Sequence, residues 1–277
     1  MHPQYIAEMV SRALSEDVGV GDVTASLIPE DKIAYGSIVC RESAVLCGQA
    51  WVNEVFAQCD TGIEIDWKVR DGDVLSKDMT VCELRGNARA LLTGERAALN
   101  FLQTLSGTAT ITQQYVGKLL GTKTKLLDTR KTIPGFRHAQ KYAVKCGGGE
   151  NHRMGLYDAF LIKENHIHAC GSIRGAIEKA REVAANKICE VEVENLKELE
   201  EALAAKPDIV MLDNFSLDEI SKAVAMTKGR VKLEISGNVS LDNIHNYANT
   251  GVDYISVGAI TKHVRAIDFS MRFSSNV

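Results

Sequence analysis

The stretch "ICEVEVENLKELEEALAAKPDIVMLDNFSLDEISKAVAM", Ile188–Met226, alternates short β-rich apolar runs with amphipathic stretches of helical period. Asn195 and Glu198 stand at N-terminal capping spacing around Leu196, with Leu199 and Leu203 continuing the stripe; Ser216 and Glu219 do the same for Leu217, Ile220, Ala223 and Val224. Strands that alternate with helices at this spacing predict βαβ units and a parallel sheet. The pattern extends both ways. Upstream lie "KLLDT", "DAFLIKEN" and the helix "SIRGAIEKAREVAAN", capped by Ser172, with Ile173, Ala176, Ile177, Ala180, Val183 and Ala184 on one face. Downstream lie "VKLEIS", "DYISVG" and a helix from Ser240 that stops at Gly251. The pattern alone does not separate a barrel from an open sheet.

The first hundred residues read differently. "AYGSIVCRESAVLCG" and "GIEIDWKVRDGDVLSKDMTVCELRGNARALL" are β-rich, with turn signals at Asp71-Gly72 and Arg85-Gly86-Asn87, and predict a smaller, largely antiparallel sheet domain. "TGERAALNFLQTLSGTATITQQYVGKLLG" reads as helical linkage into the next unit, and "AIDFSMRFSSNV" as a strand returning to the first. The expected organisation is therefore α/β, with residues 1–105 as one domain, joined by 268–277, and 106–267 as an α/β domain carrying the site.

Composition bounds the function. With 277 residues, 45% of them hydrophobic and 25% charged, the chain has ample material for a core and no disordered bias. No apolar run reaches the roughly 18 residues of a membrane helix, and the start "MHPQYIAEMVSRALSEDVG" is no secretory leader, so the expected location is the cytoplasm. A net charge of −4, without a long basic face interleaved with aromatics, argues against nucleic acid as a partner. The seven cysteines form no C-x-x-C pair and read as reduced thiols; only Cys146, beside a glycine triplet, invites a functional reading, and a small buried side chain is the simpler one.

Against that acidic total, Arg130 to Lys163 gathers seven Lys or Arg against two acids. Arg130 and Lys131 follow an apolar strand, His152 and Arg153 follow three glycines, and Lys163 ends another strand. Strand carboxyl ends are where parallel α/β folds place ligands, so these cations predict a site for a substrate bearing several carboxylates or phosphates. Arg137, Lys141 and Lys145 follow a Pro-Gly turn at helical spacing, and one or more of them is expected on the surface. Glu192 and Asp213 end neighbouring strands, suited either to Mg²⁺ through water and ribose hydroxyls or to helix capping and charge balance. Glycines in "ISGNVS" and "SVGAITK" fit a phosphate cradle, or simply tight turns. His166 and His168 lack an evident third metal ligand.

The stretch "LLDTRKTIPGFRHAQKYAVKCGGGENHRMGLYDAFLIKENHI" resembles the signature of the quinolinate phosphoribosyltransferase family, and "EDVGVGDVTA", "GERAALNFLQTLSGTAT", "CEVEVEN", "IVMLDNF", "EISGNVS" and "YISVGAIT" follow in the family's order. The resemblance implies an N-terminal α/β sandwich and a C-terminal irregular, TIM-like α/β barrel. It implies a homodimer or higher homo-oligomer with a shared site, and a Mg²⁺-assisted reaction of quinolinate with 5-phosphoribosyl-1-pyrophosphate without an organic cofactor. On this sequence it assigns Arg130, His152 and Arg153 to the carboxylates of quinolinate and Arg96 to the partner subunit's site. Lys131 and Lys163 fall between dicarboxylate and pyrophosphate, Glu192 and Asp213 at ribose and metal, and Ser236, Gly237 and Gly258 at the 5-phosphate. Departures from the family pattern stand at Ile133, Asn238 and Lys262. Three rival readings remain: a paralogue for another heterocyclic acid such as nicotinate, a non-catalytic polyanion binder, and a sugar-phosphate lyase using Lys163 as a Schiff base.

Overall fold

The computed structural model describes residues 2–274. In chain order its elements open with α1 (Pro3–Val18), β1 (Ile33–Cys40), β2 (Ala44–Val45), α2 (Gln49–Cys59), β3 (Glu64–Trp67), β4 (Val74–Leu75), β5 (Met79–Asn87) and the long α3 (Ala88–Lys118). Then come β6 (Lys125–Leu127), α4 (Arg137–Cys146), β7 (Ala159–Ile162), α5 (Glu164–Cys170), α6 (Ile173–Ala184), β8 (Ile188–Val193), α7 (Leu196–Ala205) and β9 (Ile209–Asp213). The chain closes with α8 (Leu217–Thr227), β10 (Lys232–Ser236), α9 (Ile244–Ala248), β11 (Tyr254–Ser256), α10 (Ala259–Lys262) and β12 (Phe269–Phe273).

Two compact units form. The first takes in the chain up to Ile111, His138–Gly148 and the segment from Val264. Its main sheet runs β12-β1-β5-β3, all antiparallel, with β12 pairing along β1 from Gly36↔Phe273 to Cys40↔Phe269. The closing segment thus does return as a strand; Ser275–Val277 at its end lie outside the described residues. Arg85-Gly86-Asn87 is no turn. It continues β5, and Gly86 is needed because a Cβ there would press into Ile63 at 2.7 Å.

The units do not follow a single cut after residue 105. The boundary falls within α3, after Ile111, and α4 joins the first unit from His138 onward although it follows β6. Its apolar face explains this: Ala139, Ala143 and Val144 are buried, the Tyr142 ring meets Trp51 at 5.8 Å, and the Tyr142 hydroxyl donates to Asp71 at 2.9 Å.

The second unit carries the predicted βα alternation. Its six parallel strands run β6-β11-β10-β9-β8-β7. Ser172, Asn195 and Ser216 cap α6, α7 and α8 through their side chains, and Ser216 forms the full capping box with Glu219. Two expectations shift. Val183 is 67% exposed at the frayed edge of the α6 stripe. α9 starts at Ile244 rather than at Ser240, because the Asn243 side chain accepts the Ser240 amide at 2.8 Å and holds a turn there.

The sheet curls. Beyond β6, residue 150 makes an isolated parallel bridge to Leu127, and from this edge His152 reaches Glu190 on β8 and Glu234 on β10. Arg153 meets the carbonyl of Ala159, at the start of β7, at 3.4 Å. Side chains rather than a continuous backbone ladder bring the two edges of the sheet toward each other.

Candidate active site

A cavity of about 510 Å³ opens at the carboxyl ends of these strands. Every second residue faces it: Leu161 and Lys163, Met211 and Asp213, Glu234 and Ser236, with Glu192 and Ser256. Thr129, Arg130, Lys131, His152 and Arg153 complete the wall. Eight of the predicted site residues are therefore brought together: Arg130, Lys131, His152, Arg153, Lys163, Glu192, Asp213 and Ser236. Gly258 stands beside them, since a Cβ there would meet the Lys131 side chain at 2.9 Å. Arg96 is not among the lining residues; it is exposed on α3 in the first unit.

The cationic side is held from beneath. Asp128, fully buried, accepts from the His152 amide at 2.9 Å and from the Asn151 side chain at 2.6 Å. Arg137 donates to Thr132 Oγ1, to the Met154 carbonyl and to the Arg130 carbonyl at 3.1–3.3 Å, tying both cationic loops together. The sequence marked Arg137 only as one cation of a helix. Burial, and after it the positive charge of Arg130, pushes the Arg153 guanidinium below its usual pKa. Arg130 Nε is buried without a hydrogen-bond partner among the described residues.

His152 lines the cavity and is also held from behind. Its Nδ1 accepts the Arg153 backbone N–H at 2.8 Å, and its Nε2 lies 2.9 Å from Glu190 Oε2 and 3.5 Å from Glu234 Oε2. Both ring nitrogens thus have partners within the wall that His152 helps to line. Glu190 and Glu234 themselves escaped sequence reasoning. The available signal was an acid inside an otherwise apolar parallel strand, where both faces are covered.

The acidic side is organised at the strand tips. Lys163 pairs with Glu192, and Asp213 accepts from Asn214 Nδ2 at 2.9 Å. Two carboxylates on the wall of a polar cavity form a hard-oxygen donor set that fits Mg²⁺ retaining its waters. After β10, Gly237 has φ +97°, and a Cβ would run into the Asn214 side-chain oxygen. Asn238 adopts φ 53° and donates to that same oxygen at 3.2 Å, so asparagine serves the left-handed position. A larger cleft of about 780 Å³, which shares Glu192 with this cavity, is lined by Glu164, Glu194, Glu198 and Glu201 with Lys197 and His168, a mostly acidic wall of the wrong sign for a polyanion.

His166 and His168 do not make a metal pair: His166 Nδ1 accepts the Lys163 amide at 3.0 Å, and His168 is exposed. Cys146 lies in the first unit with Cys47 and Asp71, their ligand-type atoms within 4.8 Å of one another. Asp71 is occupied there by the Gly48 and Gln49 amides and the Tyr142 hydroxyl. All seven cysteines are free thiols.

A curled parallel α/β sheet with paired guanidinium groups, a lysine–glutamate pair and glycine-bearing loops at its strand tips is the architecture of an enzyme that handles sugar phosphates and other small anions. The chain belongs to the quinolinate phosphoribosyl transferase family: the family's N-terminal domain matches residues 22–106 and its C-terminal domain residues 108–272. It is 41% identical over 272 residues to the probable nicotinate-nucleotide pyrophosphorylase [carboxylating] of Bacillus subtilis (strain 168), spanning 98% of this chain and 94% of that one. It is 42% identical to the nicotinate-nucleotide pyrophosphorylase [carboxylating] of Mycobacterium leprae (strain TN), covering 95% of each. The structure of the nicotinate-nucleotide pyrophosphorylase from Francisella tularensis superposes with a TM-score of 0.95 at 51% identity, over 99% of this chain and 98% of that one. No helix among the described residues is long and apolar enough to cross a membrane.

Proposed function

We propose that the protein transfers the phosphoribosyl group of 5-phosphoribosyl-1-pyrophosphate to quinolinate and releases CO₂, giving nicotinate mononucleotide and pyrophosphate in the synthesis of NAD. The observation that carries this reading is the convergence of Arg130 and Arg153, two guanidinium groups close enough to disturb one another, with Arg130 Nε buried and without a hydrogen-bond partner among the described residues. Like charges held together in a half-buried wall call for an anion between them, and a vicinal dicarboxylate presents two carboxylates to two planar forks. Arg96 of a neighbouring subunit adds a third cation in a homodimer or larger assembly.

Lys131 and Lys163 lie between the dicarboxylate and the pyrophosphate, while Ser236, Gly237 and Gly258 receive the 5-phosphate. Glu192 and Asp213 meet the ribose hydroxyls and hold Mg²⁺, which when bound offsets the charge of the departing pyrophosphate. The pyridine nitrogen bonds to the ribose C1 as the C1–O bond to pyrophosphate breaks. Orientation and charge stabilisation suffice for that step, with no protein nucleophile. The alkylated ring then accepts the electron pair of the C2–carboxylate bond as CO₂ leaves, and C2 takes up a proton. We place the reaction in the cytoplasm, in keeping with seven free thiols.

The test is turnover with the phosphoribosyl donor and Mg²⁺, quinolinate and nicotinate run in parallel. Product from quinolinate alone supports the reading; turnover with nicotinate alone refutes the substrate, and turnover with neither refutes the reaction.

A further inference from the structure

The first unit holds a group of reactive side chains that the proposed reaction does not use. Cys47 is fully buried and Cys146, the last residue of α4, is half-buried; with Asp71 they bring one ligand-type atom each within 4.8 Å of one another. None of the three lines the cavity. The backbone around the two thiols is firmly placed. Gly72 donates its amide to the Leu46 carbonyl at 2.8 Å, and a Cβ on Gly72 would stand 3.5 Å from the Cys146 carbonyl. One turn earlier on α4, Tyr142 donates to Asp71 Oδ2 at 2.9 Å, while Asp71 Oδ1 accepts from the Gly48 and Gln49 amides. Asp71 therefore joins the segment carrying Cys47 to the helix carrying Cys146. Both of its oxygens are engaged in doing so, which leaves the two sulfurs as the reactive partners.

The two thiols differ in reach. A reagent in solvent meets Cys146 first, because Cys47 has no exposed surface. A hydrogen bond from Cys47 holds the Cys146 thiol below its ordinary pKa, and burial pushes Cys47 well above its own. A thiolate-prone sulfur that solvent reaches, with a protonated one behind it, is the arrangement of an attacking and a resolving cysteine. Closing an S–S bond of about 2 Å requires one side to move. Cys47 is pinned, since its amide donates to Ser106 Oγ at 3.0 Å and its carbonyl accepts from the same hydroxyl at 3.2 Å. Cys146 is followed by Gly147, Gly148 and Gly149, the most permissive backbone available. The movement therefore falls on the end of α4 and passes along the chain toward His152 and Arg153.

We infer that Cys146 and Cys47 form a reversible intramolecular disulfide by exchange with a low-molecular-weight disulfide, and that the oxidised form weakens the grip on quinolinate. First, the Cys146 thiolate attacks one sulfur of the reagent RSSR, forming a mixed disulfide at Cys146 and releasing RS⁻. Then Cys47 loses its proton to solvent and its sulfur displaces the remaining RS⁻ from Cys146. Two protein thiols are oxidised by two electrons in all, and one RSSR becomes two RSH. In a reducing compartment the pair rests as thiols, as it does in this structure. The effect on the grip rests on the reading of Arg153 as a quinolinate ligand; the disulfide itself does not.

The test treats the intact protein with oxidised glutathione. A digest made without reductant yields, by mass spectrometry, the peptides joined through Cys47 and Cys146, and dithiothreitol separates them. Cys170 is exposed and takes up the reagent independently, so the digest is the readout rather than a total thiol count. Cys47→Ser stops at a glutathione adduct on Cys146, and Cys146→Ser gives neither the cross-link nor an adduct at Cys47. The parent digest needs no variant, so a variant that fails to fold does not obscure it. In the assay, the cross-linked protein has a KM for quinolinate about fivefold higher with kcat within about twofold; dithiothreitol reverses the change, and Cys146→Ser treated alike shows none. No cross-link in the folded parent, or a first adduct at Cys47, overturns the inference. A cross-link that leaves KM unchanged overturns its effect on the grip. A cross-link in a protein that does not turn over quinolinate refutes the proposed reaction and leaves the disulfide standing.

Discussion

Glu190 and Glu192 sit two residues apart on one face of β8, and they live in different chemistry. Glu192, at the strand tip, has Lys163 against it and the cavity in front of it. Glu190, one step deeper, has the His152 imidazole and a second buried acid. The same contrast repeats on β10, where Ser236 stands at the tip and Glu234 lies beneath it. On the proposed reading a strand-end residue meets the ligand, while the residue two positions earlier shapes the wall around it. Side-chain type does not decide between these roles; the partner and the depth do.

The largest effect comes from removing the grip. Arg153→Ala deletes a charge-assisted, fork-shaped contact to a carboxylate, so kcat/KM for quinolinate falls about a thousandfold, while stability changes little. Steady-state kinetics with the Tm measured in parallel check this; loss below about tenfold would move the dicarboxylate elsewhere.

The two glutamates of β8 separate next. Glu192→Gln removes the acceptor of Lys163 and one metal-side charge, so kcat falls about a hundredfold with KM for quinolinate within about threefold. Glu190→Gln leaves the tip intact but frees His152, so KM rises about tenfold and kcat stays within about threefold. Identical kinetic signatures for the two variants would erase the distinction drawn here.

Stability against pH gives a smaller effect. The folded-state value of Glu234, about 8, lies above its ordinary 4.5, so the native state holds a proton that the unfolded chain releases. Its contribution is fully present below about 4.5 and is lost as pH rises to about 8. Glu234→Gln keeps the neutral form throughout, and its Tm relative to the parent climbs across that window, a difference on the order of a few kcal/mol. A constant difference between the two melting curves from pH 5 to 9 would contradict this.

Smallest is the cap after β9. Ser216→Ala removes the side-chain half of a capping box on α8, leaving the residue 216 amide bonded to Glu219, and costs about 1 kcal/mol, a few degrees of Tm, without touching the floor of the cavity.

The alternation of Ile188–Met226 was legible because parallel strands covered on both faces stay apolar until their tips, and because Asn195 and Ser216 mark helix starts chemically. The cationic wall was legible for the same reason, since polar residues appear just where the strands run out. Three features were hidden by long-range packing. Gly86 carries the composition of a turn, yet it serves the close approach of Ile63. α4 follows β6 in sequence, but its apolar face and Tyr142 place it with the first unit. Glu190 and Glu234 come from strands separated by β9, so no spacing in the sequence joins them to His152.

The central claim is that the wall built on Arg130 and Arg153 receives the two carboxylates of quinolinate and that one of them leaves. Quinolinate labelled with carbon isotope in its 2-carboxylate, incubated with the protein, the phosphoribosyl donor and Mg²⁺, tests it most directly. The account predicts labelled CO₂ and nicotinate mononucleotide in equal amounts, both abolished in Arg153→Ala. Nucleotide that retains the label, or no nucleotide from a folded protein, would contradict it.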